Sequence, residues 1–228
     1  MTISEPATLI TDYLLAILTG ALAQRIWRKS RDDMESDRAE TSEWLRWWAA
    51  AFAASAVAGV TGGTVHGFQY ALAPSVIRAL WILTLESLLI AAYSVVRAAL
   101  TFGWMGQRAL RRAKLTAALG AVAYALWLTW SPVFLWAMVA YGGAFVVLVG
   151  FQLRARPLDA SGRLLLGGVA VSLAAAAIQQ SGVSLHRHFN HNDLYHVVQA
   201  MSVWLLFRGA ISRGRYSSAP SLPGTSRP

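Results

Sequence analysis

The sequence has no cysteine, little charge and almost no lysine, and each of these features narrows what the protein can be. Without cysteine, disulfides and thiolate metal ligands are excluded, so a metal ion would need His, Asp, Glu, Asn or water. Only 14% of the residues are charged, against about 25% in a soluble domain, while 56% are hydrophobic. Two lysines stand against eighteen arginines, which is typical of a GC-rich bacterial genome. The composition therefore predicts a bacterial membrane protein.

Seven apolar segments approach the length of about 20 residues that a membrane helix needs. Ser131-Pro132 separates the fourth from the fifth, because proline suits the first turn of a new helix. We predict an all-α polytopic membrane protein with a seven-helix transmembrane domain over residues 1–212. Residues 213–228, rich in Ser, Pro, Gly and Arg, are predicted to be a disordered cytoplasmic tail. The predicted spans cover residues 7–24, 47–70, 77–102, 115–130, 132–153, 164–182 and 192–212.

The basic residues predict the orientation of the chain in the membrane. Eighteen of the twenty fall in three connections and the tail, which share one side of the seven spans. The positive-inside rule then places the N-terminus outside and the C-terminus in the cytoplasm of the bacterial inner membrane. This topology accounts for the net charge of +9, so we expect membrane lipids as partners and no nucleic acid. The segment 28–43, with six acids, is predicted to be a charged loop or surface helix.

Ionisable side chains inside the spans are the strongest functional signal. Such groups are costly in the hydrocarbon region and normally face the interior of the bundle. All five histidines fall on the outer side of the predicted topology. Five ionisable residues on four helices share the outer half of the bilayer, and we predict that they form one polar pocket. These residues are Asp12, His66, Glu86, Asp193 and His196.

The start of the seventh span carries a compact set of polar residues. Asn192 and Asp193 lie four and three positions before His196, and Gln199 follows three positions after it, so these residues share one helix face. Histidines from two helices together with an acid make a zinc site plausible. The candidate metal ligands are His66, His196, Asp193 and Asn192, and the candidate catalytic acids are Glu86 and Asp12. Gly59, Gly62 and Gly63 are predicted to allow close packing of the second span.

This arrangement resembles the superfamily of seven-helix membrane hydrolases that includes alkaline ceramidases and adiponectin receptors. That superfamily has a metal-ligating histidine in the second span, an acid in the third and a His-x-x-x-His pair in the seventh. His66, Glu86 and His196 stand at these places, whereas Asn192 replaces the first histidine of the pair. The segment 192–196, Asn-Asp-Leu-Tyr-His, also resembles an element of an uncharacterised family of bacterial multi-pass membrane proteins, which implies no activity.

The resemblance to the hydrolases implies a zinc-dependent enzyme that cleaves a lipid amide or ester. His66 and His196 would hold the zinc, Asp193 or His191 would complete its ligands, and Glu86 would act as the general base. Two other functions stay open. The protein could be a non-enzymatic sensor, carrier or assembly module whose pocket binds a ligand or a proton, or it could bind haem between His66 and His196.

Overall fold

The computed structural model of the chain is all-α and describes residues 3–36, 38–154, 158–186 and 189–213. Seven helices follow one another, and a short 3-10 turn, Leu100–Phe102, continues the third. Residues 214–228, most of the tail predicted to be disordered, lie outside the described residues. The helices are α1 (Pro6–Glu35), α2 (Ala39–Phe68), α3 (Pro74–Ala99), α4 (Gln107–Trp130), α5 (Phe134–Arg154), α6 (Ala160–Ser181) and α7 (His191–Ser212).

Six of the seven described helices are long and apolar enough to cross a membrane, which is the make-up of a multi-pass membrane protein. The exception is α4, whose first two turns carry four basic residues and leave a short apolar segment. The predicted break between the fourth and fifth segments is confirmed, because α4 ends at Trp130 and α5 begins at Phe134. Trp81 of α3 donates a 2.9 Å hydrogen bond from Nε1 to the carbonyl of Pro132 and so fixes this turn.

Most of the charged segment 28–43, predicted to be a loop or a surface helix, is helical. Helix α1 continues to Glu35 and α2 begins at Ala39, so few residues join them. Lys29 and Asp33 are four positions apart on α1 and lie 3.4 Å from each other, a spacing that supports a helix beyond its apolar part. Ser42 donates a 2.8 Å hydrogen bond to the carbonyl of Ser30 and ties the two extensions together.

The two ends of the bundle differ in character, and we name them by their residues. The histidine end, marked by His66 and His191, is where α1, α3 and α7 begin and α2 and α6 end. The opposite, arginine end is filled by large side chains, and Trp44 there donates a 2.9 Å hydrogen bond from Nε1 to the carbonyl of Ala210. Arg213 covers this end, with its guanidinium 4.4 Å from the centre of a Trp44 ring. The dense packing therefore lies toward the arginine end.

Glycines bring α1 and α2 into close contact. A Cβ at Gly59 would lie 3.0 Å from Ala16 Cβ, and a Cβ at Gly63 would lie 2.8 Å from Asp12 Cβ. The predicted packing role is confirmed for these two glycines, whereas Gly62 faces α3. Helices α6 and α7 approach each other in the same way, but α5 and α6 touch only slightly. The α1–α2 contact fixes the position of Asp12 on the inner side of the bundle.

Candidate functional site

A cavity of about 400 Å³ lies among α1, α2, α3, α5, α6 and α7. Its size is within the range of about 300–1,000 Å³ typical of small-molecule sites. On α2 its lining extends from Trp48 to His66, which at a rise of about 1.5 Å per residue is about 27 Å, so the cavity is long and narrow. Most of the wall is apolar, and it includes the aromatic residues Trp48, Phe52, Trp81, Phe134, Tyr141, Phe145 and Tyr195.

An acid–histidine pair lies at the histidine end of this cavity. His196 Nε2 of α7 is 3.1 Å from Asp12 Oδ1 of α1, and the two residues are only 8% and 7% exposed. The other ring nitrogen, Nδ1, lies 2.9 Å from the hydroxyl of Thr11. Both nitrogens of His196 therefore have protein partners on α1. This meeting of Asp12 and His196 agrees with the predicted pocket.

Asp193 lies close to this pair but has a different task. Its Oδ1 accepts a 2.9 Å hydrogen bond from the Thr8 hydroxyl, and its Oδ2 accepts a 2.7 Å hydrogen bond from the backbone N–H of Asn190. The Asn190 side chain in turn accepts hydrogen bonds from the first turn of α7, which completes a capping box. Asp193 is 1% exposed and does not line the cavity. The Asp193 carboxylate therefore caps the start of α7 and binds that helix to Thr8 of α1.

His66 lines the cavity near its mouth. Its Nδ1 lies 3.3 Å from Oε2 of Glu5, the residue that precedes α1. Its ring meets Trp81 edge to face, with ring centroids 6.4 Å apart. His66 lies close to the end of α2 at Phe68, and its charged partner Glu5 is not among the residues that the sequence singles out.

Glu86 does not line the cavity, so the prediction that all five ionisable residues share one pocket is wrong for this residue, as it is for Asp193. The cavity face of α3 carries Thr84 and Leu88, and a residue two positions from each points to the other side of the helix. Glu86 accordingly faces α4, where the Thr129 hydroxyl donates a 3.4 Å hydrogen bond to its Oε1. A base at Glu86 could not reach a molecule bound beside Asp12 in this arrangement.

The candidate metal ligands do not converge on one point. Among the residues that the structure describes, no group of three or more His, Asp or Glu is placed to hold a metal ion. His196 uses both ring nitrogens and Asp193 both carboxylate oxygens in contacts within the protein. Asn192 lines the cavity beside His196, as the spacing predicts. The four residues therefore do not fit a zinc ion in this conformation, and His196 offers no nitrogen to a haem iron.

Of the remaining histidines, His186 and His191 do not line the cavity. His191 is the first residue of α7, and its buried Nδ1 has no hydrogen-bond partner among the residues that the structure describes. His186 pairs through its backbone with Phe189 in the connection between α6 and α7. His188 lies outside the described residues.

Several hydroxyl and amide groups of the site do not follow from the search for ionisable residues. Thr8 binds Asp193 and Thr11 binds His196, both on α7. The four-residue spacing of Thr8 and Asp12 is the sequence signal that these two residues share one face of α1. Gln199 accepts a 2.9 Å hydrogen bond from Ser172 of α6 and lines the cavity below His196. Hydroxyl groups are thus the partners of the Asp193 carboxylate, of one His196 nitrogen and of the Gln199 amide.

Two polar atoms of the cavity wall are buried without a hydrogen-bond partner in the described part of the chain. They are Nε1 of Trp48, far from the mouth, and Oε1 of Gln179, near the histidine end. Buried polar groups are nearly always paired, so such atoms mark places where a bound molecule can complete the bonding. Both residues belong to the wall of the same cavity.

Comparison with known protein families gives a match that covers most of the chain. The sequence model of a family of unknown function, DUF6962, matches residues 7–215. Neither a curated protein nor a solved structure matches the chain. The match covers all seven helices and the whole cavity, while the relation to the ceramidase and adiponectin receptor superfamily stays a prediction.

Proposed function

The chain belongs to the DUF6962 family, and we propose that it is a membrane protein that binds an elongated, lipid-soluble molecule in its cavity. The observation that carries this proposal is a long, aromatic-lined cavity with the Asp12–His196 pair at one end. A mostly apolar wall with a few convergent polar groups is the usual form of a small-molecule site. The ligand would place its polar head beside the pair and its chain toward Trp48.

The arrangement supports binding better than hydrolysis. Hydrolysis of an amide or ester needs an activated water and a base at one place. Glu86 lies on the opposite face of α3, and His66, His196 and Asp193 each face a different partner. We therefore favour a non-enzymatic carrier or sensor over a zinc-dependent lipid hydrolase.

The orientation in the membrane is part of the proposal. With α4 as a seventh span, the positive-inside rule puts the arginine end in the cytoplasm of a bacterial plasma membrane. The histidine end, and with it the polar end of the cavity, would then face the outside. A ligand head would lie near the outer surface and its chain would extend toward the membrane centre.

The binding proposal can be tested with single-chain amphiphiles that carry bromine at the chain end. Trp48 and Trp81 line the cavity, so 12-bromododecanol or its trimethylammonium counterpart should quench tryptophan fluorescence saturably in nanodiscs, beyond the effect in empty nanodiscs. Gly142 and Gly143 are neighbours on α5, and a Cβ at either meets nothing within 4 Å. Only Gly142 lines the cavity.

Gly142→Leu should therefore fill the cavity and weaken binding about tenfold, which is the effect of losing a contact worth about 1.4 kcal/mol. Gly143→Leu should leave binding unchanged and serves as the matched control. Thermal unfolding of both variants establishes that they fold. If neither amphiphile binds saturably, or if both variants bind like the original protein, the cavity is not a ligand site.

A further inference from the structure

We propose that the head group bound at the histidine end is a cation, so that the ligand is a long-chain amine or quaternary ammonium compound. This inference rests on the proposed function, because it assigns the chemistry of the same cavity. Four features of the cavity wall support it: the charges, the Asp12 carboxylate, the rings of Trp81 and Tyr195, and the buried oxygen of Gln179.

The charges around the cavity favour a positive guest. In the described part of the chain, no Lys or Arg lines the cavity, and Asp12 is its one Asp or Glu. The two histidines of the wall already face acids, His196 against Asp12 and His66 against Glu5. A carboxylate or phosphate head would be buried without a counter-charge, which is strongly unfavourable in a poorly hydrated site.

Asp12 has an oxygen available for such a guest. Its Oδ1 faces His196, no hydrogen bond to its Oδ2 is found among the described residues, and Asp12 lines the cavity. The residue is 7% exposed, so water competes weakly there and an ion pair is stronger than at a surface. An ammonium group could bind this oxygen without disturbing the contact with His196.

Aromatic rings surround the same end of the cavity. Trp81 lies against His66 near the mouth, and Tyr195 lies beside His196, with ring centroids 5.0 Å apart. Both rings belong to the cavity wall. The negative face of an aromatic ring attracts cations, and cages of such rings recognise quaternary ammonium groups. A neutral or anionic head would not gain this cation–ring attraction.

The side-chain amide of Gln179 is a further polar group of the cavity wall. Among the described residues its Oε1 is a buried acceptor without a partner, whereas both nitrogens of His196 are already engaged on α1. The polar end of the cavity thus offers an acceptor oxygen of Gln179 in addition to the Asp12 carboxylate. A protonated amine can donate to both, and a quaternary ammonium pairs with the Asp12 carboxylate by charge alone.

Three probes of equal chain length test the charge of the head group. Dodecyltrimethylammonium, 1-dodecanol and dodecanoate are compared by competition against a brominated dodecyl probe on the full chain in nanodiscs of zwitterionic lipid. We expect the ammonium to bind about tenfold more tightly than the alcohol, from its ion pair and ring contacts, and the carboxylate to bind most weakly. Empty nanodiscs correct for partition into lipid.

Two substitutions show whether the preference for ammonium depends on the charge of Asp12 or on any acid within the helices. Asp12→Asn should abolish the preference for ammonium and change alcohol binding less than about threefold, because shape and hydrogen bonding are retained. Glu86→Gln removes an acid that faces α4 and should keep the preference. If the alcohol or carboxylate binds as tightly as the ammonium, the cation assignment is wrong while ligand binding stands. If no probe binds saturably, the proposed function itself fails.

Discussion

Thr8 of α1 donates a 2.9 Å hydrogen bond to Asp193 of α7, across 185 positions of the sequence. One turn along α1, Thr11 and Asp12 contact the two nitrogens of His196. The first and last helices are therefore joined by polar contacts at the end of the bundle that holds the candidate site. In an apolar bundle such contacts specify which faces meet, because a misplaced acid would be buried without a partner.

Removing the Thr8 hydroxyl should destabilise the protein. Thr8→Val leaves the buried Oδ1 of Asp193 without its donor, and an unpaired buried acceptor costs about 1–3 kcal/mol. The measurement is the free energy of unfolding in mixed detergent micelles. Thr129→Val is the matched control, because Thr129 is exposed and should change stability by less than about 0.5 kcal/mol. Equal effects of the two substitutions would show that the Thr8 contact carries no stability.

The contact between Asp12 and His196 should appear as an energetic coupling. In a double-mutant cycle of Asp12→Asn with His196→Ala, we expect a coupling of about 1–3 kcal/mol in unfolding free energy, since the side chains lie 3.1 Å apart. A second cycle combines Asp12→Asn with Glu86→Gln, which share no partner, and should be additive within about 0.5 kcal/mol. Additivity in the first cycle would mean that the two groups do not interact.

The glycine at the α1–α2 contact should not tolerate a methyl group. A Cβ at Gly63 would come 2.8 Å from Asp12 Cβ and 2.9 Å from Tyr13 Cδ1, so Gly63→Ala must push α1 away. We expect a loss of about 1–3 kcal/mol in stability together with weaker ligand binding, because Asp12 moves with the helix. Gly143→Ala enters open space and is the control. An unchanged melting temperature for Gly63→Ala would contradict this packing.

Elemental analysis decides between binding and zinc-dependent hydrolysis. The candidate ligands face separate partners, so we expect less than stoichiometric zinc in detergent-purified protein and no change in melting temperature with a chelator. One zinc per chain that is lost in the His66→Ala/His196→Ala double variant would restore the hydrolase hypothesis. Zinc that survives this double substitution would be bound elsewhere.

The absence of cysteine makes the orientation simple to measure. A single cysteine at Ser184, exposed at the histidine end, should react with a membrane-impermeant maleimide added to spheroplasts. A cysteine at Ser36, exposed at the arginine end, should react only after the membrane is opened. The reverse pattern would invert the proposed topology, and the cysteine-free parent supplies the background.

The sequence predicts the helices well because their signal is local. Six sufficiently long apolar segments, a shorter fourth one and Pro132 mark the seven described helices, and the charged pair Lys29–Asp33 is the local reason that α1 continues past its apolar part. The capping box of α7 is equally local, since Asn190 and Asp193 have the required spacing. Reading that motif would have assigned Asp193 to the helix start rather than to a metal.

The rotation of a helix about its axis is harder to predict. Span three is apolar nearly all round, so its pattern does not show whether Thr84 or Glu86 faces inward. Depth along the span is the signal that assigns Glu86 to the pocket, and depth does not determine direction. The same depth argument applies to Asp12 and His196, and in the structure both lie on helix faces that carry a second polar residue, Thr8 on α1 and Gln199 on α7.

Helices α5 and α6, which both line the cavity, make only a slight contact with each other. Across this seam Gln180 donates a 3.3 Å hydrogen bond to the sulfur of Met138, a weak acceptor, while the tightly packed α1–α2 and α6–α7 pairs lie elsewhere. Separating the two helices by a small distance therefore disturbs few buried contacts. The cavity can therefore widen to hold a thicker or longer ligand chain while Asp12 keeps its position. The protein would then be specific for the head group of the ligand and tolerant of different chains.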